Sequence, residues 1–540
     1  MKTYRLILGC LFAVVVAAAG TVSSLSAQQS SSDAHRIAQA RLERIPTADL
    51  GNGYYRNPVM VGPGSDNSVV RVGSDFYLIA GGGGFPDQLV WHSRDLVNWR
   101  PLTRALTQTA GGTWASDISF HDGRFYIYTT FNDPSKRKPE NRGLTGAQVS
   151  ILGTNSKDTG EPSFDNVVIT ADRPEGPWSK PTSIGVFGLF DPGHIATPDG
   201  RRFLFFNRGM VIELTREGTG TIGDVQRVYE GWQYPSDWVL ECHCLEAPKP
   251  LFRNGWYYMV SAEGGTGGPA TAHMAVVARA KSLTGPWENS PYTPIVRTQS
   301  REDTWWRQGH GTLIDDVAGD WWFMYTGYAS DATYLGKQSM LLPIEWTADG
   351  WPRVPAGVNA TDVLRKPAGE NVGHGMPLSD DFNANSIGIQ WTWAANANPA
   401  ELFTVGGGQL RMKAAGTGPA TAAKLSVGTV NRSYEVDVDV EIGEHSEGGI
   451  MIGTVNAGLR KGEAFGYWPS IPNALPWEKN RISIRIRNDH GDISFFWSSD
   501  GTSWHHFANG GAVTPTRSLS LYASGEGEVA FRNFRYRGLD

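Results

Sequence analysis

Cysteine is scarce in this chain, with three residues in 540. Cys10 falls in the N-terminal leader, so only Cys242 and Cys244 remain, too few for a disulfide framework. Two residues apart on a strand they would share a face but close a loop poorly, and a Cys-His-Cys metal site would need further ligands. They are expected as buried packing thiols. Charge is also sparse, at 19% Asp, Glu, Lys and Arg with a net charge of −6 and no basic stripe. That argues against nucleic acid or an anionic membrane as partner. Long apolar runs are missing after the first 20 residues, so no later segment is expected to insert in a bilayer. The N-terminus is the exception: Lys2 and Arg5, an apolar run from Leu6 to Gly20, then small and polar residues to Ala27. This is the pattern of a secretory signal peptide over residues 1–27, which predicts a secreted or periplasmic protein.

Glycine and aromatics are abundant, with 65 Gly, 20 Trp and 11% aromatic residues. Together with frequent turn signals they favour β architecture, and the length allows two domains. Residues 28–50 are polar with a weak helical pattern (Ile37, Ala40, Leu42, Ile45) and form an N-terminal extension expected to pack on the outside. From residue 51 to 364 one phrase recurs: an apolar strand, a turn of Gly, Asp or Asn, then an aromatic-rich strand. The copies begin at Val69, Ile118, His194, Pro250 and Thr312. A second phrase, a strand and a loop ending in Trp, closes on Trp99, Trp178, Trp287 and Trp351. Two hairpins per repeat make a four-stranded sheet, and five such sheets predict a five-bladed β-propeller, against the alternative of a β-sandwich with coincidental hairpins. Residues 365–377 read as a Gly- and Pro-containing linker. From 378 to 540 the strands alternate, as in YEVDVDVEI from Tyr434, which predicts a β-sandwich of the concanavalin A-like kind. The fold class expected is therefore all-β, propeller followed by sandwich.

The stretch CLEAPKPLFRNGWYYMVSAEGG from Cys244 places Glu246 at the entrance of a hairpin turning at Asn254-Gly255. Few polar neighbours surround that glutamate in sequence, so burial would raise its pKa and suit it to donate a proton. Asp66, Asp117 and Asp191 stand at the equivalent position of three other repeats. In a propeller these four acids converge on the mouth of the channel, where mutual repulsion separates their pKa values into those of an acid and a base. Cofactor-free chemistry that uses such a pair is glycosidic bond hydrolysis.

The ordered motifs NPV at Asn57, SDNSVVRVG around Asp66, HSRDLVNW at His92, WASDI at Trp114, FDPG at Phe190, LEAPKPL at Leu245, AEGGT at Ala262, GHGTLID at Gly309 and LGKQ at Leu335 resemble glycoside hydrolase family 43. The resemblance runs from about Asn57 to Val354, and the sandwich resembles the C-terminal module of the β-xylosidase-like branch. It implies an inverting, five-bladed enzyme acting on xylose- or arabinose-containing polymers, with Asp66 as general base, Asp191 orienting and tuning the acid, and Glu246 as general acid. Phe85 and Trp114 become candidates for the apolar wall of the first sugar subsite, and Asp117 for a partner of a substrate hydroxyl. His310 resembles the family histidine that holds a central ion, often calcium. Two departures stand out. Asn67 follows Asp66 where the family has proline, and Lys337 replaces an arginine that contacts substrate, which a lysine cannot do with a planar fork. The sugar is therefore left open between a pentosyl and a galactosyl or other hexosyl unit. A carbohydrate-binding propeller and sandwich without catalysis is the alternative of a different class. Glu241-Cys242 also looks like a dipeptide of the fructan-hydrolysing propellers, but SDNSV does not supply their Asn-Asp-Pro-Asn motif.

Overall fold

The computed structural model describes residues 35–62, 66–80, 88–107, 109–143, 162–395, 397–468, 471–512 and 517–540. The leader expected over residues 1–27 lies outside them. Among the described residues no helix is long and apolar enough to cross a membrane.

Five small antiparallel sheets succeed one another in chain order. Blade one is Asn67–Val72, Asp75–Ala80, Leu89–Ser93 and Arg100–Arg104. Blade two is Asp117–His121, Arg124–Asn132, Phe164–Ala171 and Thr182–Phe187, with the short Gly112–Thr113 also paired to its second strand. Blade three is Gly193–Ala196, Arg202–Phe206, Met210–Leu214 and Thr221–Arg227. Blade four is Glu246–Arg253, Trp256–Glu263, Met274–Ala280 and Glu288–Asn289, with Val296–Arg297 on the same third strand. Blade five is Trp305–Asp315, Trp321–Ala329, Gln338–Trp346 and Pro352–Arg353. The first strand of each blade touches the first strand of the next, and blade five returns to blade one, so the ring closes.

Local chemistry explains the hairpins. Asp122-Gly123 and Asn254-Gly255 all take positive φ, the backbone of a two-residue hairpin turn, and bring His121 opposite Arg124 and Arg253 opposite Trp256. The loops ending in tryptophan share a device: the indole N–H of Trp99, Trp178 and Trp287 donates to the carbonyl of Leu96, Pro174 and Leu283, at 2.8, 3.2 and 3.3 Å. Apolar side chains fill the gaps between blades. Ile79 and Val90 meet Ile118, Ile127 and Val167 between blades one and two, and Phe203 and Phe205 meet Met259 and Ala278 between blades three and four.

The chain before blade one ties the ring to its end. Tyr54–Arg56 pairs with Val363–Arg365, and the Asn57 side chain exchanges hydrogen bonds with the backbone of Leu341 in blade five. Two seven-stranded sheets follow as a sandwich. Along Ser433–Ile442 the alternation is explained by its two faces. Tyr434, Val436, Val438, Val440 and Ile442 are buried, whereas Glu435, Asp437, Asp439 and Glu441 pair with arginines of the neighbouring strands.

Residues 35–42 are helical, and the segment does more than lie on the outside. Glu43 is buried and its carboxylate accepts the backbone N–H of Leu378 and Ser379, at 2.6 and 3.1 Å, where the sandwich begins. The stretch 365–377 is likewise docked rather than free: Gly375 N–H donates to Trp99 O, Ala368 N–H to Asp316, and His374 lies between Trp99 N–H and Pro46 O.

Candidate active site

Asp66, Asp191 and Glu246 stand at or just before the first strands of blades one, three and four, and the ring brings them together at one end of the channel. The backbone there is unusual. Asp66, Asp191, Ala247 and His310 all adopt left-handed φ, between 50° and 57°. Such residues cost free energy wherever they occur and persist when the surroundings over-determine them.

The two sides of this cluster are electrostatically opposite. Burial pushes the Asp66 carboxyl up, but the Lys337 ammonium, bonded to its Oδ1, together with His310 and His273 nearby, outweighs burial and holds it well below the usual carboxylate range. His310 Nδ1 lies 3.3 Å from the same oxygen. Burial keeps that imidazole well below its usual range and hence neutral, so the lysine provides most of the pairing. Across the cluster, Asp191 is pushed well above the usual range by burial, then by the charges of Glu246 and Asp66. Its Oδ2 accepts the backbone N–H of Ala247 at 3.2 Å, so its carboxyl is anchored beside Glu246. Glu246 is mostly buried, and its Oε1 lies 3.3 Å from His273 Nε2. Asp66 is thus held ionised while burial, in the same cluster, holds Asp191 toward its protonated form.

The remaining expected residues fall into three groups. Phe85 lies outside the described residues. Trp114 is partly buried and makes edge contacts with Phe164 and Phe190, at centroid distances of 4.9 and 5.0 Å, so it packs on the residue that precedes Asp191 in the chain. Asp117 and Lys337 are turned inward. Asp117, expected as a hydroxyl partner, is 5% exposed. Its Oδ1 accepts from Ser68 Oγ and Lys249 Nζ and its Oδ2 from His194 N–H, which makes it a tie between blades. Lys337, expected against the sugar, is buried against Asp66.

A calcium ion through His310 does not fit the donors found. Calcium takes six to eight oxygens, whereas the histidine offers nitrogen and the ammonium groups of Lys337 and Lys249 act on it electrostatically. His310 Nε2 meets no hydrogen-bond partner among the described residues, and no group of three or more His, Cys, Asp or Glu there has the arrangement of a metal site.

Sequence reasoning missed several neighbours. His273, just before the third strand of blade four, and Lys249, within its first, carried no signal beyond being single polar residues. The two cysteines are the clearest correction. They form a disulfide, Cys242–Cys244, and are partly exposed rather than buried thiols. The expectation assumed a strand, but blade four begins only at Glu246. Glu241 N–H donates to Gly264 O and the Glu241 carboxylate accepts Gly267 N–H at 2.6 Å, so the segment folds back on the glycine loop. A side chain at Gly265 would strike Glu241 Oε2 and Cys242 Sγ.

The description of glycosyl hydrolases family 43 matches residues 55–352. The non-reducing end α-L-arabinofuranosidase BoGH43B of Bacteroides ovatus is 31% identical over 393 residues, covering 68% of this chain and 66% of that protein. The xylan 1,3-β-xylosidase of a Vibrio species is 30% identical over 351 residues, covering 58% of this chain and 59% of its own length. The chain thus spans about three-fifths to two-thirds of the length of these curated relatives. Among solved structures, the GH43 protein BlXynB of Bacillus licheniformis superposes with a TM-score of 0.76 at 24% identity, covering 90% of this chain and 100% of that one. At that identity the likeness is one of fold, propeller and sandwich together.

Proposed function

The chain belongs to glycosyl hydrolase family 43, and from that premise we propose that it is an exported glycosidase that removes terminal xylosyl or arabinofuranosyl residues from polysaccharide fragments with inversion. Asp66 takes a proton from water on one face of the anomeric carbon, and Glu246 protonates the leaving oxygen on the other through an oxocarbenium-like transition state. Asp191, which accepts the N–H of Ala247, holds the acid in place. Two carboxyls and a water complete this chemistry.

The observation that carries the reading is the geometry of one small cluster: the Lys337 ammonium bonded to Asp66 on one side, and on the other Asp191 tied to Ala247 N–H beside Glu246, an arrangement whose electrostatics hold Asp66 low and Asp191 high. The pentosyl substrate is supported by what the relatives are called, an arabinofuranosidase and a xylosidase. Export is supported by the N-terminal charge and apolar pattern.

Proton NMR of the first-formed sugar tests the proposal on xylo- and arabino-oligosaccharides. The expected product is the terminal pentose with its anomeric configuration inverted. Release with retention, release of internal fragments alone, or full activity in Glu246→Gln would overturn it.

A further inference from the structure

Lys249 is buried at 5% exposure, and no step above uses it. Its Nζ donates to three oxygens: Asp117 Oδ1 at 2.8 Å, Pro192 O at 3.1 Å and Ser116 O at 3.2 Å. Those oxygens lie at the entries of blades two and three, while the lysine belongs to the first strand of blade four. Asp117 in turn accepts from Ser68 Oγ of blade one at 3.0 Å and from His194 N–H of blade three at 3.2 Å. One ammonium and one carboxylate therefore join the inner strands of four blades.

The cradle has the chemistry of a hard-cation site, one carboxylate and two main-chain carbonyls. An ammonium carries three donors and can direct one to each. Its position also touches both sides of the acid. Pro192 directly follows Asp191, and Lys249 lies three residues after Glu246, across the register shift between Glu246 and Lys249.

We propose that Lys249 is a positioning residue whose ammonium serves as the built-in cation of the propeller channel, fixing Asp191 and Glu246 relative to one another where an oxygen-lined channel without this lysine would need a metal ion. The misfit of calcium to His310 follows from it: the oxygens a cation would take are already engaged by the chain. The structural part of this inference is independent of the hydrolase reading, because it is read from thermal stability and ion binding as well as from rate.

Lys249→Ala in the full chain leaves the cradle open, and n-propylammonium supplies the atoms removed beyond Cβ. Breaking a buried charge pair of this kind is expected to lower the Tm by about 10 °C. A displacement of the acid on the scale of about 1 Å is expected to lower kcat about 100-fold on an aryl pentoside, with KM little changed. Millimolar n-propylammonium chloride or calcium chloride should restore at least half of the lost Tm in this variant, and neither should shift wild type or Lys249→Met, whose side chain fills the space. A Lys249→Met variant with wild-type Tm and kcat, or a Lys249→Ala variant that neither salt shifts, would overturn the proposal. Should Lys249→Ala fail to accumulate as folded protein, the double variant Asp117→Asn, Lys249→Met decides. Neutralising both partners should recover most of the Tm lost by Lys249→Met alone, and no recovery would count against the pairing. A wild type without glycosidase activity would sink the function proposed above and leave these stability results standing.

Discussion

Asp191 and Ala247 are joined by a hydrogen bond of 3.2 Å from the alanine N–H to the aspartate Oδ2. The bond spans two blades, and both residues hold left-handed backbone to make it. It sets the Asp191 carboxyl beside Glu246 without using the Glu246 side chain, which stays available to a substrate. The cost of two strained residues is met by a relationship that no single hairpin can supply, since the partners sit 56 positions apart in the chain.

Replacing Asp191 with asparagine keeps an acceptor for Ala247 N–H and removes the ionisable group. The expected result is a fall in kcat of about 100-fold with KM little changed. The alkaline limb of the pH profile, where the raised Asp191 carboxyl ionises, should be lost, because asparagine cannot ionise. Steady-state rates between pH 4 and 9 check this, and an unmoved alkaline limb would separate Asp191 from the acid.

Lys337→Met should act on the opposite limb. The lysine is the largest pull holding Asp66 low against burial, so its loss moves the acidic limb to higher pH. The linkage has the same sign. A carboxylate with a depressed folded-state pKa stabilises the fold above its unfolded value and loses that contribution as the pH falls. Removing the partner should therefore destabilise by about 3–5 kcal/mol near neutrality, with the gap from wild type narrowing toward pH 4. Denaturant melts at several pH values measure it.

Gly193 opens the inner strand of blade three, and a Cβ there would lie 1.8 Å from Pro248 O in blade four. The obstacle is main chain and cannot rotate away. Gly193→Ala is expected to cost about 3 kcal/mol or more and to suppress kcat even at temperatures where the protein stays folded, because it pushes apart the strands that carry Asp191 and Glu246. Gly418→Ala, where nothing lies within 4 Å, is the control and should match wild type in both.

Much of this was legible in the sequence, because hairpin turns and strand entries are local. Asp122-Gly123 and Asn254-Gly255 announced their turns, the repeated phrases announced five blades, and acids at equivalent phrase positions meet because equivalent positions in a ring meet. What stayed hidden was whatever depends on the partner. Lys249 binds main-chain carbonyls of Ser116 and Pro192, which leave no mark on side-chain identity. Asp117 turned inward because Ser68, Lys249 and His194 converge on it, a coincidence of four blades. The disulfide depended on glycines 20 and more residues away that allow the chain to fold back.

Glu263 gives a last test, in a group away from the proposed acid and base. It is fully buried; Oε1 accepts Trp232 N–H at 2.7 Å, and Oε2 has no partner among the described residues. Burial pushes its carboxyl up to about 7 against the pull of that N–H. A raised acid stabilises the fold in its protonated form, so its contribution is complete below about pH 4.5 and is lost as the pH climbs through 7. Wild-type stability should therefore decline between pH 5 and 8 by about 3 kcal/mol from this residue. Glu263→Gln cannot ionise and should remove that decline, so its Tm exceeds that of wild type at pH 8 by roughly 5–10 °C and loses the advantage at pH 4.5. Scanning calorimetry across that range decides it. A variant whose offset from wild type is the same at both pH values would mean that Glu263 stays charged, with Oε2 reaching a donor or solvent.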